Sequence, residues 1–310
     1  MIKATNLTKY FGDKKAIDNI SFNVSKGEIL GFLGPNGAGK STTMRIITGF
    51  IKPTSGTVFI DKFNISENTT AAMAKFGYLP ENAPIYPDMT VFDYLEFCAS
   101  VRGLKNKKKR IEETLAQCFL AEVKQKKIAW LSKGFKQRVC LAQSIIHDPD
   151  YLILDEPTDG LDPNQKEEVR RMLKDMGSAK AIILSTHILE EADAVCSRVI
   201  IIANGKIVAA DTPENLKKYS RMHKAVTLEI EASEPNKPLR LIADIENVAS
   251  VEIAEQKENA LKLIAFPKKN KAIYSDKITS VLRDNEYKIN SIFIEKGKLD
   301  EVFRKFTLPS

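Results

Sequence analysis

Short apolar runs alternate with amphipathic stretches through the first two-thirds of the chain. These runs are typical of buried strands, and YLILDE (151–156) has the pattern of a strand buried on both faces. After the first run, Met44, Ile47 and Ile51 fall on one face of a predicted helix. Strands alternating with helices predict parallel βαβ units with helices on both faces of one sheet. The runs are EILGFLG (28–34), YLILDE (151–156), AIILSTH (181–187) and RVIIIANGKIVAAD (198–211).

Two further patterns modify this α/β plan. The segments AIDNISFNVSKGE and SGTVFIDKFNI favour antiparallel strands joined by turns. Between about residues 85 and 147 the strand signal vanishes, and TVFDYLEFCASVR carries its apolar residues at helical spacing. Thr90, with Asp93 three residues later, fits a capping box at the start of that helix. We therefore predict an antiparallel β subdomain and a helical insertion at about 85–147.

The pattern of apolar and polar residues changes after about residue 220. AVTLEIE, VASVEIA and ALKLIAF alternate cleanly, with helical stretches near 238–246 and 271–285 and a last strand in YKINSIFIE. This βαββαβ order predicts a small α+β domain of the ferredoxin-like or a related type. We therefore divide the chain into domains at 1–220 and 221–310, and expect a dimerisation or regulatory role for the second.

The amino-acid composition limits the classes of protein to which this chain can belong. Of 310 residues, 43% are apolar and 28% charged, as in ordinary globular proteins. No apolar run approaches the ~18 residues of a membrane helix, and MIKATNLTKY lacks the apolar core of a signal peptide, so we expect a cytoplasmic location. Four scattered cysteines favour reduced thiols. The net charge of +7 would suit nucleic acid or an anionic membrane, but runs such as KNKKKR more often form a solvated face.

The segment GPNGAGKST matches the phosphate-binding pattern G-x-x-x-x-G-K-[ST], and it lies between a predicted strand and a predicted helix. Glycines let backbone N–H groups surround the β-phosphate of a nucleotide, the lysine neutralises the β- and γ-oxygens, and the serine hydroxyl can bind Mg²⁺. The nucleotide-binding residues predicted here are Gly34, Pro35, Asn36, Gly37, Ala38, Gly39, Lys40, Ser41 and Thr42.

YLILDEP supplies two adjacent carboxylates at the end of a buried strand. Asp155 is predicted to hold Mg²⁺ directly or through water. Glu156 can point elsewhere and polarise the water that attacks the γ-phosphate. A third segment, LSKGFKQR, predicts a helix start with a free hydroxyl on Ser132 and bare N–H groups, which is an anion site.

Over residues 2–215 these motifs resemble, in order and spacing, the ATPase subunit of an ABC transporter. LSKGFKQR resembles the signature motif of that family, usually LSGGQ. In the family, two nucleotide-binding domains face each other head to tail, and the signature of one closes on the γ-phosphate held by the other. The resemblance carries this role to Ser132 and Gly134. Lys133 and Phe135 replace a glycine and a glutamine, and Lys133 could add charge near the phosphate.

The resemblance extends to four more positions. Phe11 resembles the aromatic residue that stacks on adenine, with Tyr10 as its rival. In GYLPEN, Glu81 stands where the family has the glutamine of its Q-loop, and an acid there can reach Mg²⁺ through water. Asp162 in DGLDP resembles the D-loop residue at the subunit contact. His187 in LSTHILEEAD resembles the switch histidine that contacts the γ-phosphate.

What the resemblance implies is a Mg-dependent ATPase that forms a head-to-tail homodimer around ATP and drives a separate integral-membrane permease. The permease would contact residues 81–100 and hold the subunit at the inner face of the membrane. GYLPENAPIYPDMTV and KLDEVFRKFT point to export-type ATPases, including drug-resistance and gliding-motility examples. Three alternatives stay open: an import ATPase, a non-transport ABC ATPase acting on ribosomes or DNA, and a chiefly regulatory binding protein. No specific nucleic acid is expected as a partner.

Overall fold

The computed structural model describes residues 1–82, 84–269 and 271–307. These residues form two compact units. The first comprises Met1–Pro213 together with the chain end that begins at Phe306, and the second is Glu214–Lys305. Within the described ranges, no helix has both the length and the apolar character needed to cross a bilayer.

The first unit contains two sheets. A four-stranded sheet with order β2–β1–β4–β5 is antiparallel throughout. A six-stranded sheet has the order β10–β9–β3–β8–β7–β6, in which all neighbours are parallel except the β10–β9 pair. The strands are β1 (Ile2–Phe11), β2 (Lys14–Val24), β3 (Ile29–Leu33), β4 (Ser55–Ile60), β5 (Phe63–Asn64), β6 (Phe76–Leu79), β7 (Tyr151–Asp155), β8 (Ala181–Thr186), β9 (Arg198–Ala203) and β10 (Lys206–Asp211).

Helices surround and connect these sheets. Three of them, with two short 3₁₀ turns, form the insertion predicted between residues 85 and 147, and Thr90 caps the first of the three by accepting the backbone N–H of Asp93 at 3.1 Å. The helices of this part are α1 (Lys40–Ile47), α2 (Thr69–Met73), α3 (Val91–Val101), α4 (Lys107–Gln117), α5 (Lys133–Ile145), α6 (Pro163–Gly177) and α7 (Leu189–Val195). The next helix, α8 (Pro213–Lys217), begins at the boundary between the two units.

The helix after the phosphate-binding loop is shorter than predicted. It ends at Ile47 because Gly49 takes up a left-handed conformation (φ +73°), with its N–H bonded back to Ile46 O at 3.0 Å. Ile51 therefore lies outside the helix, although it still packs against the core. That core fills the space between the two sheets, and β3 contributes Leu30 and Phe32 to it.

The second unit is built on one antiparallel sheet of order β12–β13–β11–β14, with two helices packed against it. A βαββαβ chain with its first and third strands adjacent at the centre has ferredoxin-like topology. Its elements are β11 (Val226–Ile230), α9 (Asn236–Ala243), β12 (Val248–Lys257), β13 (Ala260–Pro267), α10 (Ser275–Asp284) and β14 (Ile289–Ile294), and the last helix of the chain is α11 (Leu299–Thr307). The architecture confirms the predicted fold class, whereas the domain division at residue 220 stays a prediction.

Candidate nucleotide-binding and hydrolysis site

The phosphate-binding loop is held too tightly for side chains at two of its glycines. A Cβ atom added to Gly34 would lie 2.4 Å from the carbonyl oxygen of Ile202, and one added to Gly39 would lie 2.9 Å from that of Ala16. Gly39 also has φ +112°, which L-residues rarely adopt. The loop thus makes a tight turn from β3 into the start of α1, which is the geometry that an anion-binding loop requires.

Lys40 is the first residue of α1 and is almost fully buried. Its Nζ donates to the carbonyl oxygen of Gly34 at 2.8 Å and so spans the loop. Burial lowers the pKa of Lys40, and the negative charges of Glu156, Asp155 and Glu81 act against that shift. A cation held between a phosphate-type loop and three carboxylates can neutralise phosphate oxygens.

Asp155 ends β7 and is 2% exposed. Its Oδ1 accepts a hydrogen bond from Ser41 Oγ at 3.3 Å and a second, shorter one from Ser185 Oγ. Ser185 reaches it because β7 and β8 are parallel neighbours with Asp155 opposite Ser185. The loop serine and the strand carboxylate predicted as metal ligands therefore meet.

Glu156 faces a different direction because its backbone is left-handed (φ +50°) directly after the strand. Its N–H donates to Ser185 O at 3.2 Å, and its Oε2 lies 3.0 Å from Nδ1 of His187. Burial raises the pKa of Glu156, although the hydrogen bond to His187 acts in the opposite direction. The structure thus pairs the proposed base with the proposed switch histidine.

The start of α5 corrects one expectation. The hydroxyl of Ser132 is not free: it caps the helix by accepting the N–H of Phe135 at 3.4 Å. A hydroxyl that accepts in this way still has its own proton to donate. Gly134 is buried, and a Cβ atom there would lie 2.3 Å from Gln165 Oε1, so a larger residue would require the Gln165 side chain to move.

The two departures from the family signature have structural roles. Lys133 Nζ is paired with Asp159 Oδ2 at 2.7 Å, so its charge is already engaged, and this contact lowers the pKa of Asp159. Phe135 packs beside the guanidinium of Arg138, whose Cζ lies 5.7 Å from the ring centroid. Phe119 lies at 5.5 Å from the same Cζ.

One contact joins the signature helix to the carboxylate pair within the chain. Gln137 Nε2 donates to the carbonyl oxygen of Glu156 at 3.2 Å. Asp162 caps α6 through a 2.9 Å hydrogen bond from the N–H of Gln165, with Pro163 at the first helical position. No hydrogen bond or ion pair between described residues joins Ser132 or Gly134 to the phosphate-binding loop.

The remaining predicted residues lie on the surface. Phe11 and Tyr10 are both exposed at the end of β1, each with a lysine ammonium near its ring, so exposure does not separate the two candidates. Glu81 is exposed beyond β6, and its charge acts on Lys40. Ala83, in the predicted permease-contact segment, lies outside the described residues.

Four polar residues of this region were missed by the sequence reasoning. They occupy or follow the ends of β7 and β8, or lie on α7, and they hydrogen-bond to the predicted residues or to one another. The signal available was the dipeptide directly before His187, two hydroxyls at the carboxyl end of a parallel strand. These residues are Thr158, Ser185, Thr186 and Glu191.

The donor set fits a magnesium ion. The Ser41 and Asp155 oxygens are 3.3 Å apart, close to the ~3 Å that separates adjacent oxygens in an octahedral Mg²⁺ shell with bonds of about 2.1 Å. Mg²⁺ takes few protein ligands, together with water and phosphate oxygens. In the described chain, no group of three or more His, Cys, Asp or Glu side chains could hold a metal ion by itself, so nucleotide oxygens would complete the shell.

Comparison with known proteins identifies the family. The family model described as ABC transporter matches residues 17–159, and an AAA-domain model matches residues 127–193. The bacitracin transport ATP-binding protein BcrA of Bacillus licheniformis is 38% identical over 244 residues, which is 78% of each chain. This chain belongs to the ABC transporter ATP-binding proteins. The linearmycin resistance ATP-binding protein LnrL of Bacillus subtilis is 32% identical over 99% of this ABC protein and 98% of its own length.

Solved ABC structures are similar to about two thirds of this chain. The dimeric structure of MJ0796, described as a bacterial ABC transporter cassette, has a TM-score of 0.64 at 28% identity and is covered over 98% of its length, against 68% of this chain. A post-hydrolysis state of MJ0796 bound to ADP and Pi also scores 0.64, at 27% identity. The fold and the ATPase class predicted from the sequence are confirmed, and the individual residue roles stay predictions.

The raised pKa of Glu156 has a consequence for stability. A carboxyl whose pKa is higher in the folded than in the unfolded chain stabilises the fold at low pH, and this stabilisation is lost as pH rises through the folded pKa. We expect Glu156→Gln to raise the melting temperature at pH 7, and to raise it less towards pH 4. Calorimetry at both pH values measures this.

The matched control is Glu67→Gln, which neutralises an exposed glutamate of the same unit and should leave the melting temperature unchanged. An equal rise for both variants, or a rise for Glu156→Gln that persists undiminished at pH 4, would contradict the desolvation argument.

Proposed function

We propose that this chain is the Mg-dependent ATP-hydrolysing subunit of an export-type ABC transporter, working as a head-to-tail homodimer on a separate membrane permease. The observation that supports this proposal is that the predicted site residues form two separate groups within the chain. One group lies at a single sheet edge and consists of Lys40, Ser41, Asp155, Glu156 and His187. The signature residues lie elsewhere, at the exposed start of α5. A site divided in this way is complete only when a second copy supplies the other half.

Nucleotide binding is assigned to the loop and its flanks. Backbone N–H groups between Gly34 and Thr42 would hold the phosphates, and the buried ammonium of Lys40 would neutralise the β- and γ-oxygens. The adenine would stack on Phe11, with Tyr10 as the neighbouring candidate. Both rings are exposed on the hairpin whose Ala16 carbonyl lies against the loop at Gly39.

Ser41 and Asp155 would hold Mg²⁺, with Glu81 reaching it through water. When bound, the ion neutralises charge on the β- and γ-phosphate oxygens. Asp155 stays oriented because Ser185 and Ser41 donate to the same carboxylate oxygen. Loss of the Asp155 carboxylate would remove the acceptor of the buried Ser185 hydroxyl.

Hydrolysis is assigned to Glu156 acting as the general base. Its buried carboxylate has a raised pKa and can take a proton from the attacking water. His187 bonds to that carboxylate at 3.0 Å and keeps a second ring nitrogen that can face the γ-phosphate. Preorganised groups of this kind lower the barrier because no reorientation is needed during reaction.

Dimerisation follows from the exposed start of α5. The hydroxyl proton of Ser132 and the N–H groups near Gly134 would contact the γ-phosphate bound to the other subunit, with Asp162 at the subunit contact. ATP would favour the closed pair because these donors meet the γ-phosphate only there, and hydrolysis would remove that difference in affinity.

Export through a permease is supported by the surface near residues 81–100. Tyr86 and Phe97 are 55% and 44% exposed, and their rings meet edge to face at 5.6 Å. Exposed aromatic clusters of this kind mark protein contacts. Two relatives are described as bacitracin transport and linearmycin resistance proteins, which favours export over import and over a role on ribosomes or DNA.

Docking on the permease would hold the ATPase at the cytoplasmic face of the membrane. For the ferredoxin-like unit, taken as the domain 221–310, we propose dimerisation or regulation.

The first experiment tests the base and the dimer together. Glu156→Gln should lower the ATPase rate by about 100-fold or more, because a neutral amide cannot accept the proton. With ATP it should sediment as a dimer, and wild-type hydrolysis should stop when Mg²⁺ is chelated. Glu67→Gln is the control and should behave as wild type. A Glu156→Gln monomer with undiminished turnover would refute the assignment.

The second experiment tests the divided site. Lys40→Ala and Ser132→Arg should each abolish activity alone, yet a mixture should regain one working site per mixed dimer, since each chain supplies the half that the other lacks. A chain carrying both substitutions, mixed with either single variant, should stay inactive. Absence of recovery in proven mixed dimers would rule out the arrangement across two subunits.

A third experiment tests the partner. Tagged Glu156→Gln protein with ATP, captured from gently solubilised membranes, should bring down a polytopic membrane protein in stoichiometric amount, and the Lys40→Ala protein should bring down less in the ATP-dependent state. Mass spectrometry identifies the partner. Ribosomal proteins or DNA in its place would favour the non-transport alternative.

A further inference from the structure

Glu191 is a buried carboxylate with no role in the site described above. It lies in α7, and only 3% of it is exposed. A buried charge is costly unless it is paired and hydrogen-bonded. Each of its two carboxylate oxygens accepts a hydrogen bond from a threonine: Oε1 from Thr158 Oγ1 and Oε2 from Thr186 Oγ1, the latter at 3.0 Å.

The two threonines belong to the two segments that carry the proposed catalytic pair. Thr158 follows Glu156 by two residues, in the turn after β7, and Thr186 directly precedes His187 at the end of β8. Thr186 Oγ1 also accepts the N–H of Ile188 at 3.0 Å, which fixes the turn around His187. One carboxylate therefore links both segments.

Two positively charged side chains of α6 lie near the carboxylate of Glu191. Lys166 Nζ lies 3.7 Å and Arg170 Nη2 lies 4.0 Å from Glu191 Oε1. Both cations lie on the helix that Asp162 caps, so the same carboxylate also contacts the helix that follows the D-loop. Three segments converge on Glu191, and each carries a residue to which the proposed function assigns a role.

We infer that Glu191 is a positioning residue that holds His187 and Glu156 at their 3.0 Å contact, and that it does so through the hydroxyls of Thr186 and Thr158. This inference rests on the proposed function. Among the described residues, no hydrogen bond or ion pair joins Glu191 to the nucleotide loop or to Asp155, so its loss should act on the rate of hydrolysis and not on nucleotide affinity. A misplacement of about 1 Å in a catalytic group can cost roughly 100-fold in rate.

The test compares Glu191→Gln with Glu190→Gln, the exposed neighbour on the same helix. Glu191→Gln keeps the side-chain volume but has one acceptor oxygen instead of two, so one threonine can keep its contact only by turning its hydroxyl to accept from the amide N–H. The negative charge that faces Lys166 and Arg170 is also lost. We expect kcat to fall by about 10-fold or more, with the KM for ATP changed by less than about 2-fold. Glu190→Gln should match wild type in both.

Measurements in the His187→Ala variant distinguish a positioning role of Glu191 from a purely structural one. If Glu191 acts by holding the His187–Glu156 contact, adding Glu191→Gln to His187→Ala should lower kcat by less than about 2-fold further. The inference would be overturned if Glu191→Gln lowered kcat by the same factor in the His187→Ala variant as in the wild type. A rise in KM at constant kcat would also overturn it. Should Glu191→Gln fail to fold, Thr158→Val, which removes only the hydroxyl, carries the same comparison.

The two ways of failing can be distinguished. Wild-type protein without Mg-dependent ATPase activity would overturn the proposed function itself. Active wild-type protein in which Glu191→Gln turns over at the rate of Glu190→Gln would overturn this inference alone.

Discussion

The parallel pairing of β7 with β8 is the constraint on which the site depends. The register sets Asp155 opposite Ser185, so the segments that follow the two strands leave the same edge of the sheet side by side. β3 pairs with the other side of β8 and delivers the phosphate-binding loop to that edge. In open parallel sheets, ligands bind beyond the carboxyl ends of the strands because the connecting loops converge there. A register slip of one residue would turn Asp155 away from Ser41.

Several buried charged side chains lie close together at the same edge of the sheet. Lys40, Asp155 and Glu191 are almost fully buried, and each has partners: loop carbonyls for the lysine, serines for the aspartate, and threonines with two cations for the glutamate. Such groups are stable only in complete networks, because an orphaned buried charge costs several kcal/mol. The network therefore fixes the geometry of the site even where its members contact no substrate.

Local patterns were sufficient for the elements and for the residues with strong motifs. The glycine loop, the carboxylate pair and the start of α5 each follow from a few adjacent residues. What depended on distant chain segments could not be predicted in this way. The sequence suggests charge near a phosphate for Lys133 but gives no sign of its partner Asp159, 26 positions along the chain. The partners of Glu191 come from α6 and from the ends of β7 and β8, and nothing near Glu191 in sequence identifies them.

The position of β3 in the sheet has a consequence for how the protein is made. Its two neighbours, β8 and β9, begin about 150 and 170 residues later in the chain. At synthesis rates of roughly 5–20 residues per second, the apolar strand that leads into the nucleotide loop leaves the ribosome about 8–30 seconds before any sheet partner exists. The strand β3 therefore has no hydrogen-bonding partner during most of the time in which the ATPase unit is translated. Parallel pairing between distant segments is also slow to form. Folding of the unit waits for the synthesis of β8.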